Sequence, residues 1–231
     1  RVLDLDTENA SAYMGLAQVA FETGDLPGAE SFYKKVLEID PSDPDALNGM
    51  GEVFFNRKDF RSAKRYFQSA VDRLPRHLDA HIGLGDVYLA EDELSRAEKE
   101  YRIALSISPE YADAHDGIAN FYYEVGKYDK AEEHYRASLE DDPGNEYAQF
   151  RIGDIKFRQG KYNEAIIEFR RALEIKPDSP RSLEGLARSF VFLAREAEKK
   201  GDKHSARRLI NEARKIWPGI IEGEKPSTGG F

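Results

Sequence analysis

Apolar residues along the chain fall on helical spacing, and the spacing repeats. Over residues 10–23, Tyr13, Leu16, Ala17 and Ala20 stand at i, i+3, i+4 and i+7, which is one face of an α-helix. Gly24-Asp25 interrupts the pattern, and Ala29, Phe32, Tyr33, Val36 and Leu37 resume it in a second helix. Asp40-Pro41 ends that helix, because the residue before a proline is pushed out of the α region. Asp43-Pro44 opens the next one, with aspartate as N-cap and proline at the first helical position. Asn145 and Ser179-Pro180 are placed to do the same further on. His77 and Tyr111 are poor capping residues, so their two junctions are expected to fray.

The helix pair recurs every 34 residues, with prolines at Pro41, Pro75, Pro109, Pro143 and Pro177. In the same register stand Ala29, Ala63, Ala97, Ala131 and Ala165, each followed four residues on by a ring: Tyr33, Phe67, Tyr101, Tyr135 and Phe169. An earlier small residue recurs as Ala17, Gly51, Gly85, Ala119 and Gly153. A small residue where helices cross lets the backbones approach, and the ring fills the space beside the crossing. A fixed period of this length means stacked supersecondary units instead of one globular core.

These are the residues the tetratricopeptide repeat family requires, and the chain resembles that family from end to end, most cleanly over residues 146–177. The resemblance implies an all-α, right-handed superhelical solenoid of helix-turn-helix repeats. Its copies fall at 10–43, 44–77, 78–111, 112–145, 146–179 and 180–218. Residues 1–9 match the end of a preceding repeat, with Thr7 in place of the proline, so the chain is expected to be a piece of a longer protein. Residues 219–231 are expected to be a tail or linker. In the sixth copy the landmarks Ala206, Ile210, Ala213 and Pro218 arrive seven residues late. Seven residues are close to two helical turns, so its first helix is expected to run through Glu196 to about Lys200.

Composition narrows the function. There is no cysteine, which excludes disulfides and thiolate metal ligands and leaves the compartment open. No apolar run approaches the roughly 18–20 residues of a membrane span, so membrane insertion is not expected. A net charge of −9 speaks against nucleic acid, although Lys199, Lys200, Lys203, Arg207, Arg208, Arg214 and Lys215 gather near one end. Charge is uneven along the array. Residues 78–145 hold 17 acidic and 6 basic residues, whereas residues 146–218 hold 11 acidic and 17 basic.

Templates for chemistry fail on inspection. Gly49-Met50-Gly51 and Gly83-Leu84-Gly85 lack the preceding strand and third glycine of a dinucleotide loop. Gly126-Lys127 and Gly160-Lys161 have Phe121 and Ile155 where a phosphate loop needs glycine. His81 and His115 occupy equivalent positions on neighbouring helices, about 8–10 Å apart, with no third metal ligand at hand. No catalytic residue, metal or cofactor is expected.

The resemblance does assign a binding surface: the first helix of each repeat lines the concave face. Carried onto this sequence, it places Glu52, Phe55, Asp86, Leu89, Asp113, Asp116, Asn120, Tyr123, Phe150, Arg151, Asp154, Phe157 and Arg158 in the groove. Acid beside exposed rings in copies three to five suits a partner with a basic segment, steered by charge and anchored by ring burial. Glycine recurs on this face at Gly15, Gly49, Gly83, Gly117 and Gly185, either to keep a channel floor clear or through duplication of a tolerated residue. Co-chaperones of the family clamp a terminal carboxylate with lysine, asparagine and arginine in three consecutive repeats. The corresponding places here hold Met14, Gln18, Asn48, Glu52, Ile82 and Asp86, which is the wrong chemistry. Glycosyltransferases of the family carry a ladder of inner asparagines, and here those places hold glycine or Arg151. The expected function is therefore a non-catalytic protein–protein interaction scaffold that binds a peptide or partner segment in its groove. The alternative is a non-catalytic arm of a larger enzyme or export protein, such as a glycosyltransferase or an export porin. Apolar ends of the array also offer a route to self-association.

Overall fold

Helix starts follow the 34-residue period. The computed structural model describes residues 10–218, and among them it holds twelve helices and no strand. The expected end of a preceding repeat at 1–9 and the expected tail at 219–231 lie outside the described residues. The first helices are α1 (Ala10–Glu22), α3 (Pro44–Asn56), α5 (Leu78–Ala90), α7 (Ala112–Glu124), α9 (Glu146–Arg158) and α11 (Pro180–Lys199). The second helices are α2 (Leu26–Ile39), α4 (Phe60–Arg73), α6 (Leu94–Ile107), α8 (Tyr128–Asp141), α10 (Tyr162–Ile175) and α12 (Lys203–Ile216). At 20 residues α11 is longer than the other first helices, which have 13.

The chain is an all-α repeat array in two compact units, one up to Phe121 and one from Tyr122 onward. In the first unit α1 packs on α2, α3 on α4 and α5 on α6, while α1, α3 and α5 also touch in sequence. In the second unit α8 to α12 pack each on the next, and α9 also meets α11. The recurring residues account for this packing. Ala29, Ala63, Ala97, Ala131 and Ala165 are fully buried, and Tyr33, Phe67, Tyr101, Tyr135 and Phe169 are at most 2% exposed. An amphipathic helix pair cannot bury such a ring alone, so each pair gains stability from its neighbour.

Caps explain where the first helices begin. The carboxylate of Asp43 accepts from the Ala46 amide at 2.8 Å, and Asn145 accepts from Ala148 at 3.0 Å. The Ser179 hydroxyl accepts from the Ser182 amide at 3.4 Å. His77 departs from the expectation of a frayed junction. Its Nδ1 accepts from the Ala80 amide at 3.2 Å, while Nε2 donates to Asp45 at 3.1 Å. A neutral imidazole with its proton on Nε2 thus caps α5 as an aspartate would.

Turns between paired helices pass through the left-handed region. Gly24, Gly126 and Gly160 do so without strain, but Lys58 (φ 61°) and Asp92 (φ 60°) stand at equivalent positions with a Cβ. Left-handed backbone costs a β-carbon residue about 1–2 kcal/mol, partly offset because glycine adds freedom to the unfolded chain. Lys58→Gly is therefore expected to stabilise the array by about 0.5–1 kcal/mol. A urea midpoint that stays in place or falls would contradict it.

Candidate functional site

Inner helices of the first unit enclose an open cleft of about 610 Å³. Its walls come from α1 (Met14, Gln18), α3 (Asp45, Asn48, Glu52, Phe55), α5 (Asp79, Ile82, Asp86) and the start of α7 (Asp113), with His77 and Tyr111 at the helix junctions. Of the residues expected in the groove, Glu52, Phe55, Asp86 and Asp113 meet here. Leu89, Asp116 and Asn120 do not line the cleft; all three are half-buried on α5 and α7.

Five carboxylates line the cleft, and among its described lining residues there is no lysine or arginine. What each carboxylate has nearby is a neutral or histidine donor. Asn48 Nδ2 donates to Glu52 at 3.0 Å, Tyr101 OH donates to Asp86 at 2.7 Å, and His77 serves Asp45. Burial, then the charges of Asp79 and Asp113 and the hydrogen bonds to both, holds the Tyr111 hydroxyl proton well above the usual range for tyrosine. Neutral donors orient carboxylates without cancelling their charge, and the pKa values register this. Burial pushes Asp86 up to about 6, with Asp113 adding and Tyr101 opposing. Burial likewise raises Glu52; the Asn48 hydrogen bond opposes, and the charges of Asp79 and Asp113 raise it further. Tyr33, below the cleft, is pushed up to about 12 by burial and by Glu52 and Glu22.

The cleft glycines have a structural cause that lies outside both explanations offered by the sequence. A β-carbon built on Gly49 would lie 2.2 Å from the Tyr33 ring, and one on Gly83 would lie 2.5 Å from the Phe67 ring. Gly117 faces Tyr101 at 2.5 Å, and in the second unit Gly185 faces Phe169 at 2.6 Å. From the other side, Gly51 faces Phe67, Gly85 faces Tyr101 and Gly153 faces Phe169, at 2.5 to 2.7 Å. Three rings are thus clasped between two glycines each. The signal is present in the sequence, since each of these rings stands 16 residues after one glycine and 16 before the next. Gly15, which has no such ring among the described residues, has none of them within 4 Å of an added β-carbon.

The second unit gathers the remaining expected residues, but not as open anchors. Tyr123, expected to present an exposed ring, is 6% exposed. Its hydroxyl donates to Asp154, while the guanidinium carbons of Arg151 and Arg158 lie 4.5 and 5.0 Å from its ring centroid. Arg158 Nε donates to Asp154 at 2.9 Å, closing the group. The chain's own arginines therefore cover the face that a ligand would need. Arg151 also sits 5.0 Å from the Tyr147 centroid and donates to its hydroxyl oxygen at 2.8 Å. Phe150 and Phe157 are half-buried, with Arg181 over Phe150 at 5.7 Å and Arg188 over Phe157 at 5.0 Å. Cation–π stacking of this kind contributes about 0.5–2 kcal/mol per pair and rigidifies the wall.

His81 and His115 serve packing. His81 bonds Glu100 at 2.7 Å and the Pro75 carbonyl at 3.2 Å, and His115 bonds the Pro109 carbonyl at 2.9 Å. With acceptors on both nitrogens, the His81 pKa is raised. Among the described residues no group of acidic or histidine side chains could hold a metal ion, and no helix is long and apolar enough to cross a membrane.

Comparisons with known proteins agree with this architecture. Two family models, both described as tetratricopeptide repeat, match: one over residues 48–112 and 117–180, the other over residues 1–53. Among curated protein sequences, none matches. Similar solved structures include pilF of Pseudomonas aeruginosa, at 19% identity and TM-score 0.70 over 91% of this chain and 93% of that one. MamA is 28% identical, at TM-score 0.55 over 74% of this chain and 93% of its own. YrrB, described as a repeat protein with an unusual peptide-binding site, is 24% identical, at TM-score 0.53 over 79% of this chain and 94% of its own.

Proposed function

The chain belongs to the tetratricopeptide repeat family, and from that premise we propose that it holds a segment of a partner protein in the cleft of its first unit. The family's fold is in general a scaffold for protein interaction without catalysis of its own. The cleft is the observation that carries the proposal: inner positions of successive first helices converge on one open space, unfilled by their own side chains. Its five carboxylates, without lysine or arginine among the described lining residues, select a cationic segment. Ile82 and Phe55 supply apolar surface beside them. The ligand is accordingly placed in copies one to four, nearer the start of the chain than copies three to five, where Tyr123 is sealed by Arg151 and Arg158. Self-association through the exposed face of α1 would use Leu16 and Val19, exposed at 38% and 58%.

Selection of random twelve-residue peptides on the intact chain tests the cleft. Enriched peptides are expected to carry lysine or arginine and to bind with rates that fall with salt. Reversing the exposed pair Asp79 and Asp113 to lysine should slow association about tenfold and flatten the salt dependence, since steering acts on the on-rate. Peptides that bind the reversed chain as fast as the original one would place the interaction elsewhere.

A further inference from the structure

One atom in the cleft has no partner. Asn48 is 7% exposed, and its Nδ2 is committed to Glu52, yet its Oδ1 accepts no hydrogen bond from any described residue. A buried carbonyl oxygen left unsatisfied is unfavourable, so the position favours an incoming donor. The cleft that Asn48 lines also carries the carboxylates of Glu52, Asp79, Asp86 and Asp113, from three helices. Glu52, Asp79 and Asp86 form no ion pair among the described residues. The acceptors here outnumber what one ammonium can serve: an amide oxygen and several carboxylates on different walls, beside the rings of Phe55 and Tyr111. A guanidinium presents five donors in a plane and stacks on rings, whereas an ammonium is a compact point charge with three.

Resting on the cleft as the binding site, we propose that it contains a seat for one arginine side chain of the partner, which donates to Asn48 Oδ1 and to the surrounding carboxylates. Seating the cation stabilises their ionised forms and so couples binding to proton release. The groups that carry this coupling are Asp86 and Glu52; the other titratable groups beside them are Asp45 on α3, His77 before α5, Asp79 on α5, Tyr101 on α6, and Tyr111 with Asp113 at α7. In the unliganded chain Asp86 titrates at about 6 and Glu52 is also raised. Between pH 5 and 7.5 the empty seat therefore holds protons that the occupied seat does not.

The experiment titrates the intact chain with acetylated, amidated triarginine, trilysine and tricitrulline, followed by ¹H–¹⁵N nuclear magnetic resonance and calorimetry. Triarginine is expected to move the Asn48 side-chain amide and the backbone of α3 and α5, and to bind at least about fivefold more tightly than trilysine. Tricitrulline, equal in shape and uncharged, should not bind. With Asp86 titrating at about 6, triarginine affinity should fall about tenfold from pH 7.5 to pH 5, with about half a proton released per peptide at pH 6. Asp79→Asn, at an exposed position that leaves the fold intact, should weaken triarginine more than trilysine. Equal affinity for the two cations, or shifts spread over the acidic surface without Asn48, overturns the arginine seat. If selected peptides still bind the cleft in that case, the proposed function stands alone. If they map outside the cleft, both fall.

Discussion

Gly83→Ala should lower the stability of the array by about 2–3 kcal/mol, while Gly15→Ala should raise it by about 0.5–1 kcal/mol. Both glycines lie in helix interiors at equivalent positions 68 residues apart, so helix propensity alone predicts the same gain for each. Packing separates them. A β-carbon at Gly15 meets nothing within 4 Å among the described residues, so helix propensity decides the effect. At Gly83 it would lie 2.5 Å from two carbons of the Phe67 ring, well inside contact distance. That ring is 2% exposed, and a β-carbon on Gly51 would also lie 2.5 Å from it, so it has little room to retreat. Either the ring leaves its rotamer or α5 moves off α4, and overpacking outweighs the gain of about 1 kcal/mol from alanine. Denaturant midpoints read the Gly83 effect. Amide exchange within α1 reads the Gly15 effect, because a single repeat can open locally before the whole array unfolds. Equal and positive effects at both sites would show that the inner glycines are tolerated copies with no packing task.

How much of this is legible in the sequence differs between fold and site. The family and the all-α fold are fully legible, because Ala29 and Tyr33 with their four later counterparts are short-range signals that repeat. The acidic character of the inner face is legible too, since Asp86 and Asp113 can be placed by register. Contacts between side chains from different helices are not. Whether Tyr123 meets a ligand or the chain's own Arg151 and Arg158 depends on rotamers that no spacing rule sets. The same holds for His77, whose poor capping rank is offset by Asp45, which sits 32 residues away and accepts from Nε2. Rank describes isolated helices, and the neighbouring repeat overrides it. The inner glycines fall between these cases. Their 16-residue spacing to each ring is visible, but its meaning requires knowing that a ring reaches across to the next first helix.

Asp86→Asn should stabilise the folded chain by about 1–2 kcal/mol at pH 7.5, and the gain should vanish by pH 4. In the folded state Asp86 titrates at about 6, above the ordinary aspartate value of 3.8. Across that window the folded chain holds the proton more tightly than the unfolded chain does. The contribution of this carboxyl to stability is therefore greatest below pH 4 and falls as pH rises through 6. The difference between 3.8 and about 6 corresponds to about 3 kcal/mol at full value, reduced here because the cleft is open to water. Asparagine has no proton to lose and can still accept from the Tyr101 hydroxyl, so it removes the penalty while keeping the hydrogen bond. Urea midpoints at pH 4, 5, 6 and 7.5 measure the effect, and a gain independent of pH would assign it to packing instead of charge. The same substitution should weaken triarginine and flatten its pH dependence. Greater stability and weaker binding from one change are the joint signature of a destabilising charge held in place for a partner's cation.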